Sequence, residues 1–463
     1  MDTNLGEVVL VQDINPGVSA NYISFEPAPL DPDLPYSPPP EQFPDDSFPR
    51  SLVEFNDKLY FSANNGENGT ELYVSDGTTV GTELLVDINP DADEYGYSYG
   101  SYPYDFVEFN GKLYFGANNQ ETGTELYVSD GTSEGTELLV DIYPGENNYG
   151  VNSSSPSNFV EFNDKLYFSA NNGENGNELY VTDGTAEGTQ LVSDLRPGED
   201  NYGNVNGAYP SDLVEFNDKL YFTANNGENG NELYVSDGTG SGTKLLVDLR
   251  TGEDIFGNTY GSYPGNFLEF NGKLYFSANN GENGGELYVT DGTAGGTELL
   301  VDIYPGENNY GNINGSDPSN LVEFNDKIYF SASNEENGVE LFVSDGTAEG
   351  TQVVADINLN KDSSGFSYGS SPSDLVVFND KLYFTANDGE NGGELYVSDG
   401  TAVGTQLVAD LYPGLSNYSS PNSSSPSGLT VVGDELFFSA DNGETGTELF
   451  KLTLDTDSYG VDI

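Results

Sequence analysis

Short apolar runs and polar, glycine-rich breaks alternate along the whole chain with a fixed beat. The first repeat shows the pattern. Leu52-Val53-Glu54-Phe55 is a run of β-forming residues closed by Asn56-Asp57, a pair replaced elsewhere by Asn110-Gly111 and Asn271-Gly272. Such pairs tolerate positive φ and suit a two-residue hairpin. Lys58 to Ala63 predicts a second strand, Asn64 to Gly69 a polar turn and Glu71 to Ser75 a third strand. Asp76 to Thr82 makes a tight loop, and Glu83 to Ile88 a fourth strand before a long Gly/Tyr/Ser/Pro-rich connection. Four short strands joined by short turns form an antiparallel meander, the unit of a propeller blade. No segment carries a 3.6-residue apolar period, so almost no helix is expected.

The motif Glu-Leu-Tyr/Phe begins at Glu71, Glu125, Glu178, Glu232, Glu286, Glu340, Glu394 and Glu448, in steps of 54, 53, 54, 54, 54, 54 and 54 residues. Constancy of this kind marks one repeated unit. The fold class expected is therefore all-β: an eight-bladed β-propeller of four-stranded antiparallel blades, in a single domain. The blades fall at about 52–88, 106–142, 159–195, 213–249, 267–303, 321–357, 375–411, and 429–454 plus 7–14, with a Pro-rich inter-blade insert at 18–50. The ends carry the argument for closure. The last repeat supplies Leu429 to Val432, Glu435 to Ala440 and Glu448 to Leu454, then stops short of a fourth strand. The chain opens with Val8 to Gly17, which has the form of a fourth strand and matches Leu84 to Pro90. Joined, the two pieces complete one blade and remove the open sheet edges. The insert, with Pro38-Pro39-Pro40, reads as an extended lid, spacer or docking segment.

The residues Glu71-Leu72-Tyr73-Val74-Ser75-Asp76-Gly77-Thr78, followed by Gly81-Thr82 and Val86-Asp87-Ile88, resemble the bacterial ELWxxDGT repeat family, with Tyr or Phe in place of its Trp. The match recurs in eight copies over nearly the whole chain. The resemblance implies a propeller-like, cell-surface or secreted bacterial protein and brings no established activity with it. Ser75-Asp76-Gly77-Thr78 is also loosely similar to the Asp-box turns of other propellers, with a different spacing.

Charge narrows the partners. Asp and Glu number 78 against 13 Lys and Arg, a formal net of −65. Seven of the basic residues hold one repeated position, Lys58, Lys112, Lys165, Lys219, Lys273, Lys327 and Lys381. Such a surface repels nucleic acid and anionic membrane, and it suits cations, a salty medium or plain solubility. Self-repulsion on this scale destabilises the compact state unless salt or bound cations offset it. With no Cys and no His, the chain has no disulfide, thiolate or imidazole metal site, and no Ser-His-Asp chemistry. No apolar stretch of about 18 residues exists to span a membrane, and the opening residues lack the basic-then-apolar form of a secretion signal, which processing could have removed.

Antiparallel geometry sorts the loops. Turns between first and second strands share one face with turns between third and fourth. The second-to-third turns share the opposite face with the long connections. That second face, rich in Asp, Glu, Asn, Gly and Tyr, is the expected binding face. Asp87 and its equivalents Asp13, Asp141, Asp194, Asp248, Asp302, Asp356 and Asp410 stand where the fourth strand enters the connection. Their simplest role is to cap loop amides; the functional alternative is one ligand each of a Ca²⁺ site, Ca²⁺ being the only cofactor considered, although neither EF-hand nor nonapeptide spacing occurs. Glu67, Glu121, Glu174, Glu228, Glu282, Glu336, Glu390 and Glu444 read as solvated turn residues or as contacts to a cation or sugar hydroxyl. Asp76 and its repeats read as turn-formers, and Tyr60 and Tyr73 as packing between blades. The loop tyrosines, among them Tyr97, Tyr99, Tyr149, Tyr202, Tyr260 and Tyr310, suit either glycan stacking or packing on their own loops.

Nearly every carboxylate recurs once per repeat, whereas catalysis needs a few groups placed unequally. No enzyme is expected. The leading expectation is an extracellular or cell-surface binding or matrix protein. Its polyanionic ring would bind divalent cations and reach glycan or protein partners by multivalent loops. A structural assembly module (surface layer, sheath or filament subunit), a lectin and a carbohydrate-active enzyme are the alternatives, and homo-oligomerisation is left open.

Overall fold

A computed structural model of the chain describes residues 6–20, 42–93, 95–147, 150–200, 203–254, 257–308, 311–363, 365–416 and 419–454. Eight four-stranded antiparallel sheets repeat along it. In the first blade the strands are Arg50–Phe55, Lys58–Asn64, Thr70–Ser75 and Glu83–Val86. Asn56 and Asp57, at φ 55° and 58°, form the left-handed two-residue turn that their side chains tolerate. A single 3₁₀ turn, Ala294–Gly296, is the only helix among the described residues.

First strands of successive blades lie side by side all the way round, including the last against the first, so they face the axis. The ring is closed as the two ends of the sequence require. Glu7–Gln12 pairs antiparallel with Thr447–Thr453, in the register Glu7 with Thr453, Val8 with Leu452 and Leu10 with Phe450. The blade formed in this way also holds Ser427–Val432 and Glu435–Asp441. Part of the insert forms a small ladder of Val18–Ala20 with Gln42–Pro44; the rest, residues 21–41, lies outside the described residues.

Among the described residues the buried apolar side chains form eight clusters, one per joint between blades, and no central core. Phe55, Tyr60, Leu72 and Val74 of the first blade pack on Leu113, Phe115, Ala117 and Tyr127 of the second. At the seam, Val11 and Ile14 join Leu59, Phe61 and Tyr73 of the first blade and Phe437 and Leu449 of the last. The second and third strands are buried on both faces, which is why they read as near-continuous apolar runs. The strand tyrosines pack between blades as expected, and several also bolt them: Tyr60, Tyr167, Tyr221 and Tyr275 donate their hydroxyls to the carbonyls of Gly131, Gly238, Gly292 and Gly346, each in the following blade.

The clasp is non-covalent, so the ring should depend on a strand that can be removed. Deleting residues 1–14 exposes the edge of Thr447–Thr453 and should turn a monomer into self-associating species with a lower Tm. A synthetic peptide spanning residues 6–15 should reverse both effects in size-exclusion and calorimetric measurements. A truncated chain that stays monomeric with the parent Tm would contradict the clasp.

Candidate functional site

The conspicuous polar feature is a buried carboxylate at every joint. Glu71, Glu125, Glu178, Glu232, Glu286, Glu340, Glu394 and Glu448, the first residues of the Glu-Leu-Tyr/Phe motif, are all fully buried. Each faces two chain segments. Glu71 accepts from the Ile88 amide (2.9 Å), where its own blade ends, and from the Ser101 amide (2.8 Å) and hydroxyl (2.5 Å), where the next blade begins. The arrangement recurs around the ring; at Glu178 the serine is replaced by Ala208, and the Arg196 amide adds a bond. At the seam, Glu448 receives the Ile14 amide (2.9 Å), the Ser47 amide (3.1 Å) and the Ser47 hydroxyl (2.6 Å). The N-terminal strand is thus held by the same device as every other joint.

Burial pushes the carboxyls of Glu71, Glu125, Glu178, Glu340 and Glu448 up to about 7, and raises those of Glu232, Glu286 and Glu394. Hydrogen bonds oppose the rise, and the neighbouring strand-end aspartate reinforces it.

These aspartates are the candidate ligands expected from sequence. Each follows the fourth strand, half-buried except for the exposed Asp356. Asp87 Oδ2 accepts from Asn68 Nδ2 (2.8 Å), which ties the strand end to the second-to-third turn of its own blade. Asp194, Asp248, Asp302 and Asp356 are held in the same way by Asn175, Asn229, Asn283 and Asn337. The other oxygen is unmet: Oδ1 of Asp13, Asp87, Asp141, Asp194, Asp248, Asp302 and Asp410 is buried without a hydrogen-bond partner. A buried lone acceptor costs about 1–3 kcal/mol unless a donor or cation reaches it. Among the described residues no group of three or more His, Cys, Asp or Glu could hold a metal. Any ion there would rest on one or two carboxylates plus backbone and amide oxygens.

Glu67, Glu121, Glu174, Glu228, Glu282, Glu336, Glu390 and Glu444 are all exposed at turn tips and do not join this cluster. Tyr97 is 75% exposed, while Tyr99 and Tyr260 are 39% and 38% exposed. Tyr260 carries the Arg250 guanidinium 4.8 Å from its ring centre. Tyr149, Tyr202 and Tyr310 lie outside the described residues. The Asp76 turns behave as expected: the Thr78 amide and hydroxyl both donate to Asp76 Oδ1, lowering its carboxyl.

Two features escaped sequence reasoning. One is the glutamate clamp itself, whose partner was visible as the repeated Ser-x-Pro triplet, for example Ser47-Phe48-Pro49 and Ser101-Tyr102-Pro103. The other is a ring at the axis. Asp105, Asn158, Asp212, Asn266, Asn320 and Asp374 sit at a bulge in each first strand with φ between 53° and 59°. Each accepts the backbone N–H of its counterpart one blade on, from Asn158 through to Gly428.

The topology defines the class: this is an eight-bladed β-propeller closed by its own N-terminal strand. No family model and no curated sequence matches the chain. Among solved structures it is similar to the designed protein Ika8, at 15% identity over 89% of this chain and 97% of the other, with a TM-score of 0.47. It is also similar to a puromycin hydrolase variant, at 13% identity, 85% and 58% coverage and a TM-score of 0.47. A third is prolyl oligopeptidase B from Galerina marginata, at 14% identity, 79% and 50% coverage and a TM-score of 0.44. The chain thus spans only half to three-fifths of these enzymes, on their propeller domains. Likeness this remote conveys fold alone, and no peptidase activity follows from it. The expectation of a cell-surface binding or matrix protein, along with its assembly, lectin and carbohydrate-active alternatives, is corrected here. The neighbours are a designed protein and enzymes of the peptidase type, none speaks for a cell-surface binding role, and that reading is dropped. Among the described residues no helix is long and apolar enough to cross a membrane.

The clamp carboxyls make stability depend on pH with a definite sign. Their folded values lie above the ordinary 4.5, so the native state holds protons that the unfolded chain has released. Stability is fully present below about pH 4.5 and falls as pH rises through about 7. The Asp76-type carboxyls, lowered from 3.8, act oppositely and withdraw stability only below that value. At constant ionic strength Tm should therefore peak between about pH 4 and 5.5 and decline steadily to pH 8. A calorimetric Tm that is flat or rising from pH 5 to 8 refutes the assignment. Separately, Glu125→Ala strands the Ile142 and Ser154 amides and the Ser154 hydroxyl. Urea unfolding should show a loss of about 3 kcal/mol or more.

Proposed function

We propose that the chain is a non-catalytic propeller whose blade joints take up cations, with the strand-end aspartates as the protein ligands and Ca²⁺ as the divalent ion. The observation that carries this reading is the unmet, buried Oδ1 of seven of the eight aspartates, each at the same point of its blade. An acceptor left without a protein donor leaves room for an occupant, and the repeat places the same opening at each of these joints. The formal charge of −65 supports it too, because cation uptake offsets self-repulsion. Calcium accepts mixed sets of carboxylate, amide and backbone oxygens and binds with Kd around 10⁻⁴–10⁻³ M in extracellular modules. An extracellular setting belongs to the same proposal.

That nearly every acidic position recurs around the ring supports a structural or multivalent use over a single reaction centre. The absence of His and Cys from the sequence agrees with it. The test is thermal and calorimetric. Millimolar CaCl₂ at pH 7.5 should raise Tm well beyond NaCl of equal ionic strength, and titration should count several equivalent sites per chain. Asp248→Asn should remove one of them. Equal shifts from the two salts indicate screening alone, and the specific-site proposal then fails.

A further inference from the structure

The segments that lead into the eight blades share one pattern, and one variable position in it stands out. It follows the clamp serine or alanine and precedes a proline: Phe48, Tyr102, Ser155, Tyr209, Tyr263, Asp317, Ser371 and Ser425. All eight hold φ between 45° and 51°, in the left-handed region. For Tyr and Phe this backbone is a genuine departure from preference, and strain of this kind collects at functional positions. The aromatic ones are not sheltered in return. Tyr209 and Tyr263 are 63% and 64% exposed, at the rim where the first strands begin. An aromatic side chain stands directly before an acidic one at only one joint, between the fifth and sixth blades, where Tyr263 is followed by Asp317.

That joint holds a cavity of about 310 Å³ whose lining includes Tyr263, Asn266, Ser277, Asp317 and Pro318. Its floor is Gly285, and a Cβ there would come within 2.0 Å of Asp317 Oδ1. Most other blades carry Thr, Asn or Val at this position, so the glycine gives the carboxylate its place. Asn266 and Ser277 are already engaged, with each other and with the Gly265 carbonyl. Asp317 is exposed at the mouth of this cavity, and among the described residues its carboxylate has neither a hydrogen-bond donor nor a cation against it. Desolvation raises its carboxyl with nothing to offset it.

We propose that this cavity binds a guanidinium group, the head of an arginine side chain on a peptide or small ligand, with Asp317 as its counterion and the Tyr263 ring as a stacking wall. A guanidinium pairs with a carboxylate through parallel N–H bonds and lies flat on an aromatic face, which suits this pair better than a compact ammonium. The long-range field of a chain at −65 draws any cation toward the rim. This site is single and asymmetric, so it stands apart from the eightfold calcium proposal and does not depend on it.

The test is isothermal titration with N-acetyl-arginine amide at physiological ionic strength. N-acetyl-lysine amide is the comparison, and Asp164→Asn on the opposite face controls for charge. One site per chain is expected, tighter for the arginine compound. Asp317→Asn and Tyr263→Asn should each weaken it about five- to tenfold. Asparagine tolerates left-handed backbone, so both variants should keep the parent Tm in calorimetry, which verifies that they fold. Unchanged affinity in either variant overturns the site, as does an equal loss in Asp164→Asn. Tighter binding of the lysine compound overturns the choice of guanidinium.

Discussion

Each blade offers two apolar faces, and only a neighbour on both sides can cover them. The second and third strands are buried on both surfaces, yet no blade has a core of its own; the apolar contacts lie in eight joints. A linear array of such units would leave two faces wet at its ends. Closure removes both, and it rests on one strand, Glu7–Gln12, lent by the far end of the chain. Joint geometry therefore decides everything else, from which loops share a face to which residues line the axis. The buried glutamate sets that geometry in polar terms. By accepting from the amide that ends one blade and the amide that starts the next, it fixes the angle of departure and the point of arrival together. An apolar residue there would leave those amides without partners, at a cost no packing gain of similar size offsets.

Environment separates three of the recurring sets of carboxylates in this acidic chain. Those at the third-to-fourth turns are exposed and satisfied by local amides, and they stay charged. The clamp glutamates are buried with good donors, and desolvation still wins over those hydrogen bonds. The strand-end aspartates fall between, with one oxygen paired and the other idle. One residue type thus supplies turn chemistry, a joint fastener and an open coordination position, and distance from water decides which. The same sorting limits the cost of depth: the most deeply placed carboxyls are the ones most readily neutralised by protons.

The repeat, the strand count and the clasp were legible in the sequence because period, turn pairs and complementary ends are local signals. Asn56-Asp57 declares its hairpin by residue type, and Val8 to Ile14 declares its place by matching Leu84 to Ile88. The role of Glu71 was not legible. A glutamate at the head of an apolar strand looks like a solvent-facing terminus, and only the return of Ser101, thirty positions on, buries it. The ring at the axis was hidden for a related reason: Asp105 and Asn158 meet across a blade boundary, so nothing close in sequence announces the pairing. The exposed turn glutamates show the converse. A conspicuous repeated Gly-Glu-Asn-Gly draws the eye, but recurrence at a tip reflects the turn and does not draw those side chains into a cluster.

In a repeat protein, what is common to all units maintains the ring, and individuality resides in the departures. The clamp and the strand-end aspartate occur around the whole circle and the tyrosine bolt at several joints, and each is accounted for by closure or by charge. The rim residue before proline varies through Phe, Tyr, Ser and Asp while its backbone does not change. A left-handed conformation that serine and aspartate accept at modest cost is kept even where a tyrosine must adopt it. The backbone is therefore set by the clamp and the following proline, and the side chain is free to vary. At such a position an exposed aromatic ring gains nothing from packing, so its retention at four of eight rims needs a reason outside the fold. The joint of Tyr263 with Asp317, over a glycine that leaves room for the carboxylate, is where that reasoning converges on specific atoms.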